Sequence, residues 1–434
     1  MQLVTQLAGV VFTGALTLYL VRALGPSGYG LYALAISVGG LLVLPAGLGL
    51  PHAVGRFLAD HRDDLGQLNA ILRLGLRLQA PAALVASVGL FAAAGLVARA
   101  YGHPGLAWPL RWVALAVSGQ VLFSFLASVA ASVRQSRISL WMAVLESVTE
   151  ATTGASLVLL GAGVAGATLG RAIGYGAGAG FGLYLVVTLV GGRRRQLAEP
   201  RRVSVRMMLR YAGVLFAVDL AFSAVAQVDV LLIAALLSSA AVGRFSALLR
   251  ILAVLGYLGT AVSAGVSPRL SRGGGPPDVE AFARGIRYLL IVQGLVVAPM
   301  LVWARPAVEL LLGSGYSGAA PILRVLTLQA FVSAPAALIA MSVTYLGEGR
   351  RRIVVVLGTL VVGFVSIFVL LKTVGLVGAA IGDDAIVVVN VSAHLWICTR
   401  LITVDVRALV FSFVRTVVAA GAMALPLLAL GTDR

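Results

Sequence analysis

The sequence has few of the side chains that enzymes use. Only 11% of its 434 residues are charged, there are four histidines, and lysine occurs once, at Lys372. A soluble protein of this length has about a quarter charged residues. The single cysteine, Cys398, excludes an internal disulfide. The sequence contains no Walker loop and no histidine or cysteine cluster with metal-ligand spacing. We therefore expect no bound metal, no cofactor and no enzymatic activity.

Apolar residues are abundant and occur in long runs. They make up 60% of the chain, and the mean hydropathy is +1.02. Runs of about 20 apolar residues, the length of a transmembrane helix, recur from end to end. We predict an all-α, polytopic membrane protein with about 13 transmembrane helices. No basic segment precedes the first run, so we expect no cleaved signal peptide. The predicted spans are 1–22, 29–50, 74–98, 108–132, 138–161, 165–190, 210–236, 244–266, 286–305, 320–346, 353–372, 375–398 and 408–430.

The basic residues are unequally distributed between alternate loops. If the N-terminus is cytoplasmic, 22 of the 33 lysines and arginines fall in cytoplasmic loops, and 8 fall in outer connections and the C-terminus. Cytoplasmic loops of membrane proteins carry such an excess. We therefore predict a multi-pass protein of the cytoplasmic membrane with its N-terminus inside. The same rule accounts for the net charge of +17, so we expect the lipid bilayer as partner and no nucleic acid.

Three pairs of segments resemble each other at a nearly constant spacing. They are 24–32 with 237–245, 109–115 with 322–328, and 163–171 with 375–383. Six spans fall within one period, which predicts two parallel six-helix repeats around a central cleft, an architecture of alternating-access transporters. The predicted parts are an N-lobe at 1–192, a basic cytoplasmic linker at 193–209, a C-lobe at 210–400 and an extra C-terminal span at 401–434.

Several motifs resemble those of a known transporter family. "RALGPSGYGLY" (22–32) has a basic residue before Leu-Gly-Pro and then Tyr-Gly-x-Tyr, as in polysaccharide-export flippases of the multidrug/oligosaccharidyl-lipid/polysaccharide superfamily. "QVDVLLIAALLSSAAVGRFSALLRI" (227–251) is similar to the family's hairpin of spans seven and eight. "LLGSGYSGAAPILRVLTL" (311–328) and "LGEGRRR" (346–352) fit the two ends of its tenth span. The resemblance covers about residues 1–400 and implies the MATE-like fold of that superfamily.

The resemblance also implies a function. Members move polyprenyl-pyrophosphate-linked oligosaccharide from the cytoplasmic to the outer leaflet, and glycan-assembly proteins are the partners expected with such a substrate. One alternative is a cation-coupled multidrug exporter of the same superfamily, whose cleft should be acidic and aromatic. Another is a membrane glycosyltransferase or polymerase, which normally needs a sizeable outer loop with catalytic groups.

Arginines are the candidate substrate-binding residues. Arg250 lies inside the eighth predicted span, on a helix face of small and polar residues that is typical of a wet cleft wall. By resemblance, Arg22, Arg56 and Arg250 would hold the pyrophosphate, since a guanidinium donates two hydrogen bonds to a phosphate. For Arg56, a role as a topology anchor is the simpler alternative.

Asp229 and Arg250 lie at matching depths on two consecutive antiparallel spans. We therefore predict an ion pair between them, which would lower the cost of both charges in the membrane. The pair would be either structural or part of the cleft, where substrate phosphate could compete for the arginine.

Three further charges are candidates for ion coupling or gating. Asp219 lies near the middle of span seven, where an acid could take up a proton or sodium ion. Arg171 and Asp383 occupy equivalent positions in the two repeats. They could meet across a closed outer face or, as the alternative, have separate local partners.

Overall fold

The chain folds into helices. A computed structural model describes residues 2–61, 64–191, 205–271 and 276–431. In this part of the chain every regular element is helical, which confirms the all-α prediction. Residues 193–204 of the predicted linker lie outside the described residues. The backbone forms two compact units: Met1–Leu24 with Leu31–Gln227, and Gly25–Gly30 with Val228–Arg434.

The first unit contains the helices up to residue 227, except the segment Gly25–Gly30 of α1. They are α1 (Gln2–Ala46), α2 (Leu50–Asp60), α3 (Leu65–Ala100), α4 (Ala107–Ser132), α5 (Ser136–Leu157), α6 (Gly163–Gly191) and α7 (Val205–Val225). The boundary after Gln227 differs from the predicted linker because α7, the first helix of the predicted C-lobe, packs against α2. The division into sequence repeats itself stays a prediction.

The second unit contains nine helices within the described residues. They are α8 (Val228–Leu236), α9 (Ser239–Val266), α10 (Val279–Val302), α11 (Ala304–Leu312), α12 (Ala320–Ser333), α13 (Ala336–Tyr345), α14 (Gly349–Val374), α15 (Leu376–Leu401) and α16 (Val406–Ala429).

Breaks inside long helices account for the number of spans. Within the described residues, ten helices are long and apolar enough to cross a membrane, or eleven if α7 and α8, bent by 45°, form one span. Two of the ten are broken at glycines with positive φ. In α1, Gly25 has φ 65° and ψ 177°, since the following Pro26 disfavours helical backbone before it and glycine tolerates a positive φ. Between α5 and α6, Gly161 and Gly163 also have positive φ. Each break divides two spans, which gives thirteen and confirms the predicted multi-pass fold.

Two hairpins share a backbone feature at equivalent positions of the predicted repeats. Gly163 begins α6 with φ 53° and ψ −135°, and Gly375 precedes α15 with φ 71° and ψ −145°. These angles are easily adopted only by glycine. Gly170 of α6 lies against the backbone of α5, and Gly382 of α15 lies against that of α14. Small residues permit such close packing of helices in a membrane.

A second pair of glycines makes a reciprocal contact within the second unit. A Cβ on Gly30 would collide with the backbone carbonyl of Ser239 in α9, and a Cβ on Gly243 would collide with the carbonyl of Pro26. The two glycines are separated in sequence by the same interval as Pro26 and Ser239, which is also the interval of the predicted repeat. The segment Gly25–Gly30 therefore packs on the start of α9 through backbone alone.

Each unit has an apolar core next to the predicted cytoplasmic loops. In the first unit, Leu50, Phe125 and Met142 belong to a cluster that joins the ends of α2 to α7. In the second, Phe282 and Leu338 belong to a cluster that joins α10, α13, α15 and the start of α16. These cores hold the helix ends together on one side of each unit.

Candidate functional site

Asp229 and Arg250 do not form the predicted ion pair. Asp229 is buried in the first turn of α8, where its Oδ1 accepts a hydrogen bond of 2.7 Å from the backbone N–H of Val230. Arg250 is exposed on α9, and the described residues provide it with no ion-pair partner. Matching depth in the sequence does not fix the direction in which a side chain points. The carboxylate of Asp229 turns back onto the positive N-terminal end of its own helix.

A second acid influences Asp229. Asp383 of α15 acts on it electrostatically, and Gln329 of α12 donates its Nε2–H to Asp383 Oδ2 at 2.5 Å. Two ionised carboxylates in a buried site repel each other, and a shared proton or monovalent cation relieves that repulsion. Among the described residues, no three acidic, histidine or cysteine side chains converge as a metal site would require.

Arg171 has a local partner in the first unit. Its Nη1 donates to Glu150 Oε1 of α5 at 3.0 Å, and its Nη2 donates to the hydroxyl of Tyr175 at 3.3 Å. The side chains of Arg171 and Glu150 are only 16% and 9% exposed. Asp383 likewise has Gln329 as a partner within its own unit. The structure thus favours the alternative of separate local partners over a direct Arg171–Asp383 pair.

Asp219 lies on a polar face of α7 that packs against earlier helices of the first unit. Its Oδ1 is 3.9 Å from Nε2 of His52 in α2. One turn further along, the hydroxyl of Ser223 donates to the carbonyl of Gly40 at 2.9 Å, and the Gln227 amide also lies beside Gly40. The Asp219 carboxylate is 14% exposed, whereas the His52 side chain is 63% exposed. The acid is therefore sheltered beside an accessible histidine.

Arg22 and Arg56 do not converge on one point. Arg22 lies before the break of α1, and Arg56 lies in α2, beyond the other end of the helix 26–46. That helix rises about 30 Å. Arg56 is exposed, 3.9 Å from an Asp60 oxygen and 4.8 Å above the Tyr211 ring. Tyr211 first, and Asp60 to a lesser degree, raise the pKa of the Arg56 guanidinium. A single pyrophosphate can contact only one of the two arginines at a time.

Three contacts were missed at the level of sequence: Glu150 with Arg171, Gln329 with Asp383, and His52 with Asp219. One of them had a detectable signal. Glu150 and Arg171 lie at nearly equal intervals before and after Gly161, so the two are level in a hairpin that turns at this glycine. The other two contacts join helices far apart in sequence, and no spacing indicates them.

The sequence matches a known protein family over most of its length. The family described as "Polysaccharide biosynthesis protein" matches residues 1–273. The chain therefore belongs to the polysaccharide biosynthesis protein family, which confirms the predicted relationship. No curated protein matches the chain by sequence.

Solved structures share the fold. The lipid II flippase MurJ, in an inward closed conformation, has a TM-score of 0.75 at 12% identity, over 98% of this chain and 92% of that chain. An inward-facing MATE multidrug resistance transporter of the MOP superfamily has a TM-score of 0.72 at 17% identity, over 91% and 94%. An outward-facing MATE transporter has a TM-score of 0.62 at 18% identity, over 92% and 93%. The chain therefore shares its fold with these transporters.

Proposed function

We propose that this protein flips a polyprenyl-pyrophosphate-linked oligosaccharide from the cytoplasmic to the outer leaflet by alternating access, for polysaccharide biosynthesis. The observation that carries the proposal is the family match over residues 1–273. The fold, shared with a lipid II flippase over 98% of this chain, supports it. Glycan-assembly proteins that make and consume the substrate are the partners that fit this function.

The runner-up is cation-coupled export of drugs. The fold supports it equally, since a MATE transporter has a TM-score of 0.72. The family match and the exposed arginines Arg56 and Arg250 favour the lipid-linked substrate, because guanidinium groups suit a pyrophosphate and repel a cationic drug. Between the membrane helices of the described residues, the connections are short, which favours a transporter over a glycosyltransferase or polymerase.

Three arginines are the candidate contacts for the substrate phosphate. Arg56, on the predicted cytoplasmic side, lies over the Tyr211 ring and has an exposed ion pair of 3.9 Å with the Asp60 carboxylate. Such exposed pairs contribute about 1 kcal/mol at most, so an incoming phosphate can displace the carboxylate. Arg250, exposed and without an ion-pair partner among the described residues, is a second candidate contact, in the second unit. Arg22, near the predicted outer side, is a third.

Two acidic sites are candidates for coupling to an ion gradient. Asp229 is buried and Asp383 is partly buried, and a proton or sodium ion would relieve the electrostatic repulsion between the two carboxylates. Asp219 beside His52 offers a second site in the first unit. In this proposal, Arg171 keeps its structural role with Glu150 and does not act as a gate.

The proposed orientation has its own test. With a cytoplasmic N-terminus and thirteen spans, the stretch after α15 faces the cytoplasm and the end of α16 faces outward. We expect alkaline phosphatase to be inactive when fused after residue 403 and active when fused after residue 431, because this enzyme requires export. Activity at residue 403 together with inactivity at residue 431 would reverse the orientation.

The function is tested by reconstitution in liposomes with a labelled lipid-linked oligosaccharide. We expect the wild-type protein to expose the label to the opposite leaflet, and Arg250→Ala to reduce the rate about tenfold or more. That is the loss expected for one hydrogen bond between charged groups. Arg250→Lys should lie between the two, since lysine keeps the charge without the bidentate fork.

Arg350→Ala is the matched control, because Arg350 is an exposed arginine of the same unit that lies in a predicted cytoplasmic loop. It should transport like the wild type. If wild-type liposomes move a cationic drug but no lipid-linked oligosaccharide, drug export replaces the proposed function. Unchanged transport by Arg250→Ala would remove the role given to that residue alone.

A further inference from the structure

A pocket with two arginines lies between α10 and α16 of the second unit. Its volume is about 420 Å³. The helix α16 packs against α10, and only 6% of its apolar stretch is buried in the protein. This last helix lies outside the predicted repeats. The pocket is therefore formed by a helix whose surface is mostly available to lipid.

The two arginines come from different helices and lie at similar depths. Arg287 is eight residues after the start of α10, and Arg415 is nine residues after the start of α16. These distances correspond to about 12 and about 14 Å of helix. The helices run in the same direction, because Trp303 after α10 donates its Nε1–H to the carbonyl of Gly431 after α16 at 3.1 Å. At this depth a long arginine side chain reaches the lipid phosphates.

Neither guanidinium is neutralised by the described part of the protein. The Nε of Arg287 is buried without a hydrogen-bond partner there. Its neighbour Arg284, by contrast, pairs with a glutamate of the same helix at 3.5 Å. The hydroxyls of Ser412 and Thr416 in the pocket donate to backbone carbonyls of α16 at 2.7 and 2.9 Å. Arg287 and Arg415 are therefore the donors available to an anion.

An apolar track continues from the arginines along α10. Arg287, Ile291 and Leu295 are spaced four residues apart, so they lie on one helix face and line the same pocket. The side chains of Ile291 and Leu295 are 51% and 60% exposed. The pocket thus presents two cationic groups at one level and an exposed hydrocarbon surface next to them, which is the pattern of a phospholipid.

We propose that this pocket binds an anionic phospholipid of the bilayer, with its phosphate on Arg287 and Arg415 and an acyl chain along Ile291 and Leu295. Basic pockets between transmembrane helices bind anionic headgroups in this way. In the predicted orientation the lipid belongs to the cytoplasmic leaflet. The site is separate from the transported substrate and does not depend on the proposed function.

Native mass spectrometry of the purified full-length protein tests the proposal. We expect the wild type to bind phosphatidylglycerol more tightly than phosphatidylethanolamine. The double variant Arg287→Gln/Arg415→Gln should lose about 30-fold in affinity for phosphatidylglycerol, and each single variant about fivefold. Binding of phosphatidylethanolamine should be the same in all variants, which also shows that they remain folded.

Arg284→Gln is the matched control, since it removes a charge from the same helix outside the pocket. It should bind phosphatidylglycerol like the wild type. The proposal is overturned if the double or single arginine variants retain wild-type affinity for phosphatidylglycerol. It is also overturned if they lose affinity for polyprenyl phosphate and keep it for phosphatidylglycerol, because the pocket would then belong to the substrate lipid.

Discussion

Replacing Glu150 by alanine is expected to destabilise the protein by about 3 to 5 kcal/mol, because it leaves the charge of Arg171 buried without its partner. The two side chains are 9% and 16% exposed, and their atoms are 3.0 Å apart. The Tyr175 hydroxyl cannot neutralise the guanidinium, and the carboxylate of Glu146 acts on it more weakly than that of Glu150. Thermal unfolding of the detergent-solubilised protein measures the loss. Glu150→Gln, which keeps a hydrogen-bond acceptor, should have a smaller effect.

The double variant Glu150→Ala/Arg171→Met distinguishes the contribution of the ion pair to stability from that of other contacts made by these two side chains. Since it removes both charges, it should be closer in stability to the wild type than Glu150→Ala alone. The exposed pair of Arg305 and Glu309 has the same distance of 3.0 Å, and its side chains are 65% and 39% exposed. Glu309→Ala should therefore cost less than about 1 kcal/mol. Equal losses for Glu150→Ala and Glu309→Ala would contradict the argument from burial.

The number of spans could be predicted from sequence because each span must be long and apolar by itself. The breaks in α1 and between α5 and α6 could also be predicted from sequence. Gly25 precedes a proline, and Gly163 begins a segment that recurs at Gly375. The bend between α7 and α8 was not predicted, since no proline marks it. It follows from packing, which no single run of apolar residues reveals.

The sequence predicted candidate site residues but not which of them contact each other. The sequence places Asp229 and Arg250 at one depth, but depth leaves open the direction in which each side chain points around its helix. In the structure Asp229 interacts with Asp383, which lies seven helices later in the same unit's sequence, on α15. Contacts of this kind depend on which helices become neighbours. The hairpin pair of Glu150 and Arg171 is the exception, because its helices are consecutive.

A methyl group at Gly30 or Gly243 is expected to destabilise the second unit by about 3 kcal/mol, at the upper end of the usual cost of overpacking. The obstacle in each case is a backbone carbonyl, of Ser239 or Pro26, which cannot rotate away as a side chain does. Gly30→Ala therefore has to move the segment Gly25–Gly30 away from α9. Thermal unfolding of Gly30→Ala and Gly243→Ala measures the effect.

The reciprocity of this contact predicts how the two substitutions combine. Once one methyl group has separated the two segments, the second finds part of its space already open. The variant Gly30→Ala/Gly243→Ala should therefore lose less stability than the two single losses added together.

Gly256→Ala is the control, because Gly256 lies in α9 with no atom within 4 Å of an added Cβ. It should be neutral or more stable by up to about 1 kcal/mol, the helix preference of alanine over glycine. If Gly30→Ala were as stable as Gly256→Ala, the contact would not hold the segment on α9. If the stability losses of the two single variants added up to that of the double variant, each glycine would be needed for a separate reason. The equivalent positions of Gly30 and Gly243 in the predicted repeats would then have no structural role in this contact.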